Sequence, residues 1–104
     1  MAKGDVWVGA DVDFDAEGLS CNPGAGEEGI VTVINHNCKI KIQAYDNGTT
    51  TDVLTEAEMP SLGCPGGKQI SYVSLPCTNT YYYIIYNDSG TTDKVCSFRG
   101  WKTK

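Results

Sequence analysis

Thr-Tyr-Tyr-Tyr-Ile-Ile-Tyr-Asn-Asp-Ser-Gly-Thr-Thr-Asp-Lys-Val-Cys-Ser-Phe-Arg-Gly-Trp, residues 80–101, is the stretch whose reading decides the fold. Residues 81–86 form the densest aromatic and β-branched run of the chain. It breaks at Asn87-Asp88-Ser89-Gly90, and β-favouring residues resume over 94–98. Two such runs across a Gly- and Asn/Asp-rich turn predict a β-hairpin. Neighbouring positions on a strand face opposite sides, so Tyr81 and Tyr83 share one face, and Tyr82 shares the other with Ile84 and Tyr86. One of these rows must lie at or near the surface.

Working outward, the same period of two recurs. Val6, Val8, Ala10, Val12 and Phe14 alternate with Trp7, Gly9, Asp11, Asp13 and Asp15. The first set is expected to face a core, leaving a row of aspartates on the outer face of an edge strand. Residues 17–28 hold Gly18, Asn22-Pro23-Gly24 and Gly26 and read as a loop. Residues 30–34 read as a strand and Asn35-His36-Asn37 as a turn. Cys38, Ile40, Ile42 and Ala44 then alternate with Lys39, Lys41, Gln43 and Tyr45, which points Cys38 inward. Asp46-Asn47-Gly48 signals a tight hairpin returning as residues 49–53. Residues 55–59 favour at most one helical turn before Pro60, and residues 70–75 read as a strand ended by Pro76. The chain is thus all-β, a small antiparallel Greek-key-like sandwich or barrel of about seven strands.

The 104 residues allow one domain, 1–104, with an acidic N-terminal strand and loop (1–29) followed by repeated β units. Seven acids face only Lys3 in those first 29 residues, and the net charge is −5. Such a balance offers no cationic footprint for nucleic acid or an anionic bilayer. No apolar run reaches the length of a membrane span, so no membrane insertion is expected.

The repeat rests on Ala44-Tyr45-Asp46-Asn47-Gly48-Thr49-Thr50 and Ile85-Tyr86-Asn87-Asp88-Ser89-Gly90-Thr91-Thr92, about forty residues apart. Upstream of each copy a Cys precedes a Pro-Gly loop, at Cys21 and Cys64, and a second Cys follows at 38 or 77. Equivalence then predicts disulfides Cys21–Cys38 and Cys64–Cys77, with Cys96 left over. Five cysteines in a small chain point to an extracellular or particle-surface setting. The N-terminus lacks a signal-peptide h-region, so cytoplasmic synthesis stays open beside secretion. Residues 48–75, around Leu54-Thr55-Glu56-Ala57-Glu58-Met59-Pro60-Ser61-Leu62, resemble the second half of a βγ-crystallin Greek-key motif. Lys68-Gln69-Ile70-Ser71-Tyr72 stands where that family holds its calcium ligands, and no family is assigned.

No catalytic constellation emerges. His36 is the only histidine, expected to face solvent in its turn with no orienting partner. The cysteines lack zinc-pair spacing. Asp11, Asp13, Asp15 and Glu17 miss the EF-hand pattern, with Ala16 in place of its Gly. No enzyme activity, cofactor or metal is therefore expected. The aromatics Trp7, Tyr45, Tyr81, Tyr82, Tyr83, Tyr86 and Trp101 are the candidate binding residues. The expected function is a structural or binding β-domain that self-assembles or docks onto a larger assembly or surface. The alternative is a secreted, disulfide-stabilised effector, toxin, inhibitor or carbohydrate-binding module with a glycan partner.

Overall fold

The computed structural model describes residues 4–14, 18–55, 61–63, 69–90 and 94–104. Among them run nine strands: β1 (Val6–Phe14), β2 (Leu19–Cys21), β3 (Glu28–His36), β4 (Ile40–Asp46), β5 (Thr49–Thr55), β6 (Ser61–Gly63), β7 (Gln69–Thr78), β8 (Tyr81–Asn87) and β9 (Lys94–Lys102). They build a five-stranded sheet in the order β1-β9-β3-β7-β6 and a four-stranded sheet in the order β2-β8-β4-β5. All pairings are antiparallel. The all-β class holds, and the two sheets close on one sandwich-like core. The additional strands are the short β2 and β6, which carry too few residues to show a period.

That core draws apolar residues from both sheets: Trp7, Phe14, Val31, Ile34, Leu75 and Phe98 from the larger one, and Ile40, Ile42 and Ile85 from the smaller. Each such side chain stabilises the fold by about 1.5–3 kcal/mol relative to exposure. The alternation of Ile40, Ile42 and Ala44 inward is as the sequence dictates.

The expected hairpin between residues 81–86 and 94–98 does not form. β8 pairs with β2 and β4, whereas β9 pairs with β1 and β3, so the turn after Asn87 carries the chain across the sandwich. Both strands are central in their sheets, and each therefore spends both backbone edges on partners from elsewhere in the chain. A local turn signal is silent about that choice. The true tight hairpin is β4–β5, with Asp46 opposite Thr49. Asn47 (φ 47°) and Gly48 (φ 101°) supply the two left-handed residues such a two-residue turn demands.

The facing of β1 is also corrected. Trp7 is 5 % exposed, whereas Val6 and Val8 are 49 % and 65 % exposed. The reason lies in its neighbours. A Cβ on Gly29 would stand 2.7 Å from the Trp7 ring, and one on Gly9 would stand 2.3 Å from the Phe98 ring. Missing side chains thus make room for two large rings, which meet edge to face at 5.1 Å. A register shift between Asp11 and Phe14 then returns Phe14 to the core.

The disulfide expectation is overturned. Cys21, Cys38, Cys77 and Cys96 all carry thiols, and no disulfide occurs among the described residues. Cys21 lies opposite Tyr83 on β8, while Cys38 lies two residues before Ile40, which opposes Asn87. Four residues of strand separate those stations by roughly 13 Å, beyond the reach of a disulfide. Cys77 is buried as a thiol, and Cys64 falls outside the described residues, as do residues 56–59 of the helical turn expected over 55–59, whose first residue ends β5. Pro76 does not end β7, which runs on to Thr78. Among the described residues, β7 beyond residue 71 pairs with β3 alone and is a sheet edge, where a missing N–H is tolerated.

Candidate interaction faces

Two outer sheet faces are available to a partner, and they differ in character. On the five-stranded sheet the registers align three rows across β1, β9, β3 and β7. The first is Val6, Trp101, Ile30 and Pro76; the second is Val8, Arg99, Val33 and Tyr72; the third is Ala10, Ser97, Asn35 and Ile70. Trp101 is 51 % and Tyr72 50 % exposed. Arg99 is the one charged residue in the rows. At their end Glu28 pairs with Lys104 at 3.8 Å, leaving that margin neutral. Apolar residues run across all four strands, interrupted by Arg99, Ser97 and Asn35, and such surfaces mark interaction sites when they are contiguous.

Beside Arg99 the face is hollow. Gly9, Ala10, Ser97 and Asn35 are too short to level it, and with Val8, Phe98 and Arg99 they line an open depression of about 410 Å³. A smaller cavity of about 110 Å³ adjoins it along Asn35, His36, Asn37, Val95 and Ser97.

The four-stranded sheet turns a tyrosine face outward. Tyr82 and Tyr45 are cross-strand partners and stack at 4.7 Å with 25° between planes. Tyr86, opposite Lys41, and Ile84, opposite Gln43, continue this face. The Gln43 amide donates to the Asp52 carboxylate, and Lys41 approaches the same oxygen at 4.0 Å. Tyr81 and Tyr83 take the opposite parity and meet edge to face at 5.8 Å. Burial and a hydrogen bond with Tyr81 push the Tyr83 hydroxyl up to about 12.

Of the aromatics singled out from sequence, Trp101 thus belongs to the apolar face, and Tyr45, Tyr82 and Tyr86 gather on the other. Trp7 belongs to neither, being core. Val6, Val8, Ile30, Tyr72 and Arg99 were not singled out. The parity of β9 held the missing signal, because Cys96, Phe98 and Gly100 point inward and Arg99 and Trp101 must then point outward.

Two ionisable groups are buried as structural pieces. His36 is 2 % exposed and not the solvent-facing turn residue expected, because β3 extends to it. Its Nδ1 donates to the Cys38 carbonyl at 2.8 Å, and its Nε2 is hydrogen-bonded with the Ser71 hydroxyl, also at 2.8 Å. Lys102 is 1 % exposed. Its Nζ donates to the Pro23 carbonyl at 2.8 Å, lies 3.5 Å from Glu27 and sits 5.0 Å over the Trp7 ring. Three of the thiols are held protonated. Burial raises Cys21 well above the ordinary value, Cys77 to about 11 and Cys96 to about 12. Among the described residues no group of three His, Cys, Asp or Glu side chains is placed to hold a metal ion. No helix among them is long and apolar enough to cross a membrane. Compared with known proteins, the chain matches no protein-family model, no curated protein sequence and no solved structure.

Proposed function

We propose that this chain is a non-enzymatic β-domain that works by association, either self-assembling or docking onto a larger assembly or surface. The observation that carries the reading is the set of three rows spread in register over β1, β9, β3 and β7, apolar except for Arg99, Ser97 and Asn35. A face that leaves Val8, Trp101 and Tyr72 in water is costly unless something covers it. The strand order supports the same reading. With β6 set aside as a short margin, β1-β9-β3-β7 against β2-β8-β4-β5 is the order of two interlocked Greek keys, a jelly roll. That architecture serves capsid and lectin domains among others, and the fold alone assigns no function. Reduced core thiols fit a chain made in a reducing compartment and displayed on a particle better than one stapled for secretion.

Sedimentation velocity over a concentration series tests it, alone and with particles from the native source. Val8→Asp and Tyr72→Asp are exposed changes that leave the core intact. They are expected to abolish association without lowering the melting temperature by more than a few degrees. A chain that stays monomeric at high concentration and binds no particle overturns the proposal.

A second reading is favoured by the tyrosine face of the four-stranded sheet. Stacked Tyr45 and Tyr82, with Tyr86 and the polar Gln43–Asp52 pair beside them, suit carbohydrate recognition. A glycan array with Tyr82→Ala as control decides it. Binding that survives the substitution, or none at all, removes this reading.

A further inference from the structure

We propose that the depression beside Arg99 receives an acidic side chain from an extended segment of a partner protein, with the apolar residue next to it laid on the surrounding rows. The proposal rests on the docking reading above and specifies the chemistry of its partner. Three residues with polar side chains of different kinds line the hollow: Arg99, Ser97 and Asn35. Ser97 and Arg99 are two residues apart on β9 and so share its outer face, and Asn35 stands directly opposite Ser97. Among the described residues none of the three side chains makes a hydrogen bond or ion pair within the chain. All can donate, and a guanidinium can only donate. Of the three, the guanidinium alone has no acceptor capacity, and an unpartnered donor-only cation flanked by two further groups able to donate suits an anion.

Charge selects the carboxylate. Arg99 is the single charge in three rows of otherwise neutral residues, so a partner covering the face would strand a cation unless it brought an acid to that point. The guanidinium fork matches a carboxylate in two parallel hydrogen bonds. The shape selects a peptide over a free ligand. The depression is open, and a small molecule in it would keep part of its surface in water, unlike ligands in enclosed pockets. A side chain held by its own backbone gains the flanking contacts with Val8, Ala10 and Trp101 as well. A symmetric second copy fits poorly, since stacking this face on itself brings two Arg99 residues toward one another.

The test is an amide-resolved NMR titration of the full chain with acetyl-Val-Asp-Val-amide and, as control, acetyl-Val-Asn-Val-amide. The two probes differ only in the carboxylate. The expected result is saturable shifts at Asn35, Ser97 and Arg99 with a dissociation constant on the order of millimolar. The Asn probe should bind about tenfold more weakly, and added salt should weaken the Asp probe alone. Arg99→Gln should erase the difference between the probes, and Arg99→Lys should restore only part of it. Equal binding of both probes, shifts centred elsewhere, or an unchanged affinity in Arg99→Gln overturns the proposal. Hexanoate binding as tightly as the Asp peptide overturns its peptide half. Sedimentation separates the two levels of the argument: if Val8→Asp breaks association while Arg99→Gln changes neither association nor peptide binding, the docking face stands and the carboxylate site falls.

Discussion

Lys102 shows what a single residue does for this molecule. A cation in the interior is tolerable only when it is partnered, and here a carbonyl, a carboxylate and an aromatic ring share it. Its long stem also fills space against Trp7. Lys102→Met keeps the stem and should cost about 1 kcal/mol, the net worth of a hydrogen bond. Lys102→Ala removes the stem too and should cost about 3 kcal/mol in urea unfolding. Equal losses for the two variants would show that packing contributes nothing. The buried thiols give a pH signature. Cys77 and Cys96 lose protons near 11 and 12 in the folded chain, against an ordinary value of 9.0 when unfolded. Below 9 both states hold these protons and stability is flat. Above it the unfolded chain releases them first, so stability falls as pH rises from about 9 toward 12. Cys77→Ser and Cys96→Ser should flatten that limb, and urea midpoints measured from pH 7 to 11 check it.

At the scale of the element, turn chemistry was readable and pairing was not. Asn47-Gly48 announced the β4–β5 hairpin, and the structure uses it as such. A Cβ on Gly48 would meet nothing within 4 Å, so Gly48→Ala tests conformation free of any clash. It should cost about 1 kcal/mol or somewhat more in thermal unfolding, and Asn47→Gly should be nearly neutral. Asn87-Asp88-Ser89-Gly90 carries equally good turn residues but spans two sheets, because β8 and β9 each find partners far along the chain. Turn residues report that the chain bends, and say nothing of which strand it meets afterwards. The same limit explains β1. Its larger apolar set, Val6, Val8, Ala10, Val12 and Phe14, is the one that alternation alone turns inward, while the facing at Trp7 is decided by Gly29 on another strand and by Phe98, close enough to Gly9 to leave no room for a Cβ there. Partners distant in sequence made the hollows that admit Trp7, and one strand read alone cannot reveal them. The candidate site was legible by halves for that reason. Trp101 and the tyrosines stood out by type, whereas Arg99, Ser97 and Asn35 became neighbours only through the pairing of β3 with β9.

For the whole molecule, the two edges of the chain meet. The Gly4 amide donates to the Lys102 carbonyl at 2.7 Å and the Lys102 amide to Asp5 at 2.9 Å, while Thr103 and Lys104 bond to Glu28. β9 is central between β1 and β3, so both sides of the larger sheet depend on the last strand to be made. Such non-local pairing slows folding, since distant segments must find one another before any contact rewards them. The chain is close to a ring with one seam. Any polypeptide attached at either end would leave from the same corner, and the β4–β5 turn stands at the same end of the sandwich, where the Asn47 amide donates to the Thr80 carbonyl just past the β7 end that opposes Glu28. Cut at that turn and sealed at the seam, the same sequence would read in a new order yet keep every strand beside its present neighbours. A tandem string of these domains would hang from its seams like flags along one line, with each apolar face turned to whatever passes.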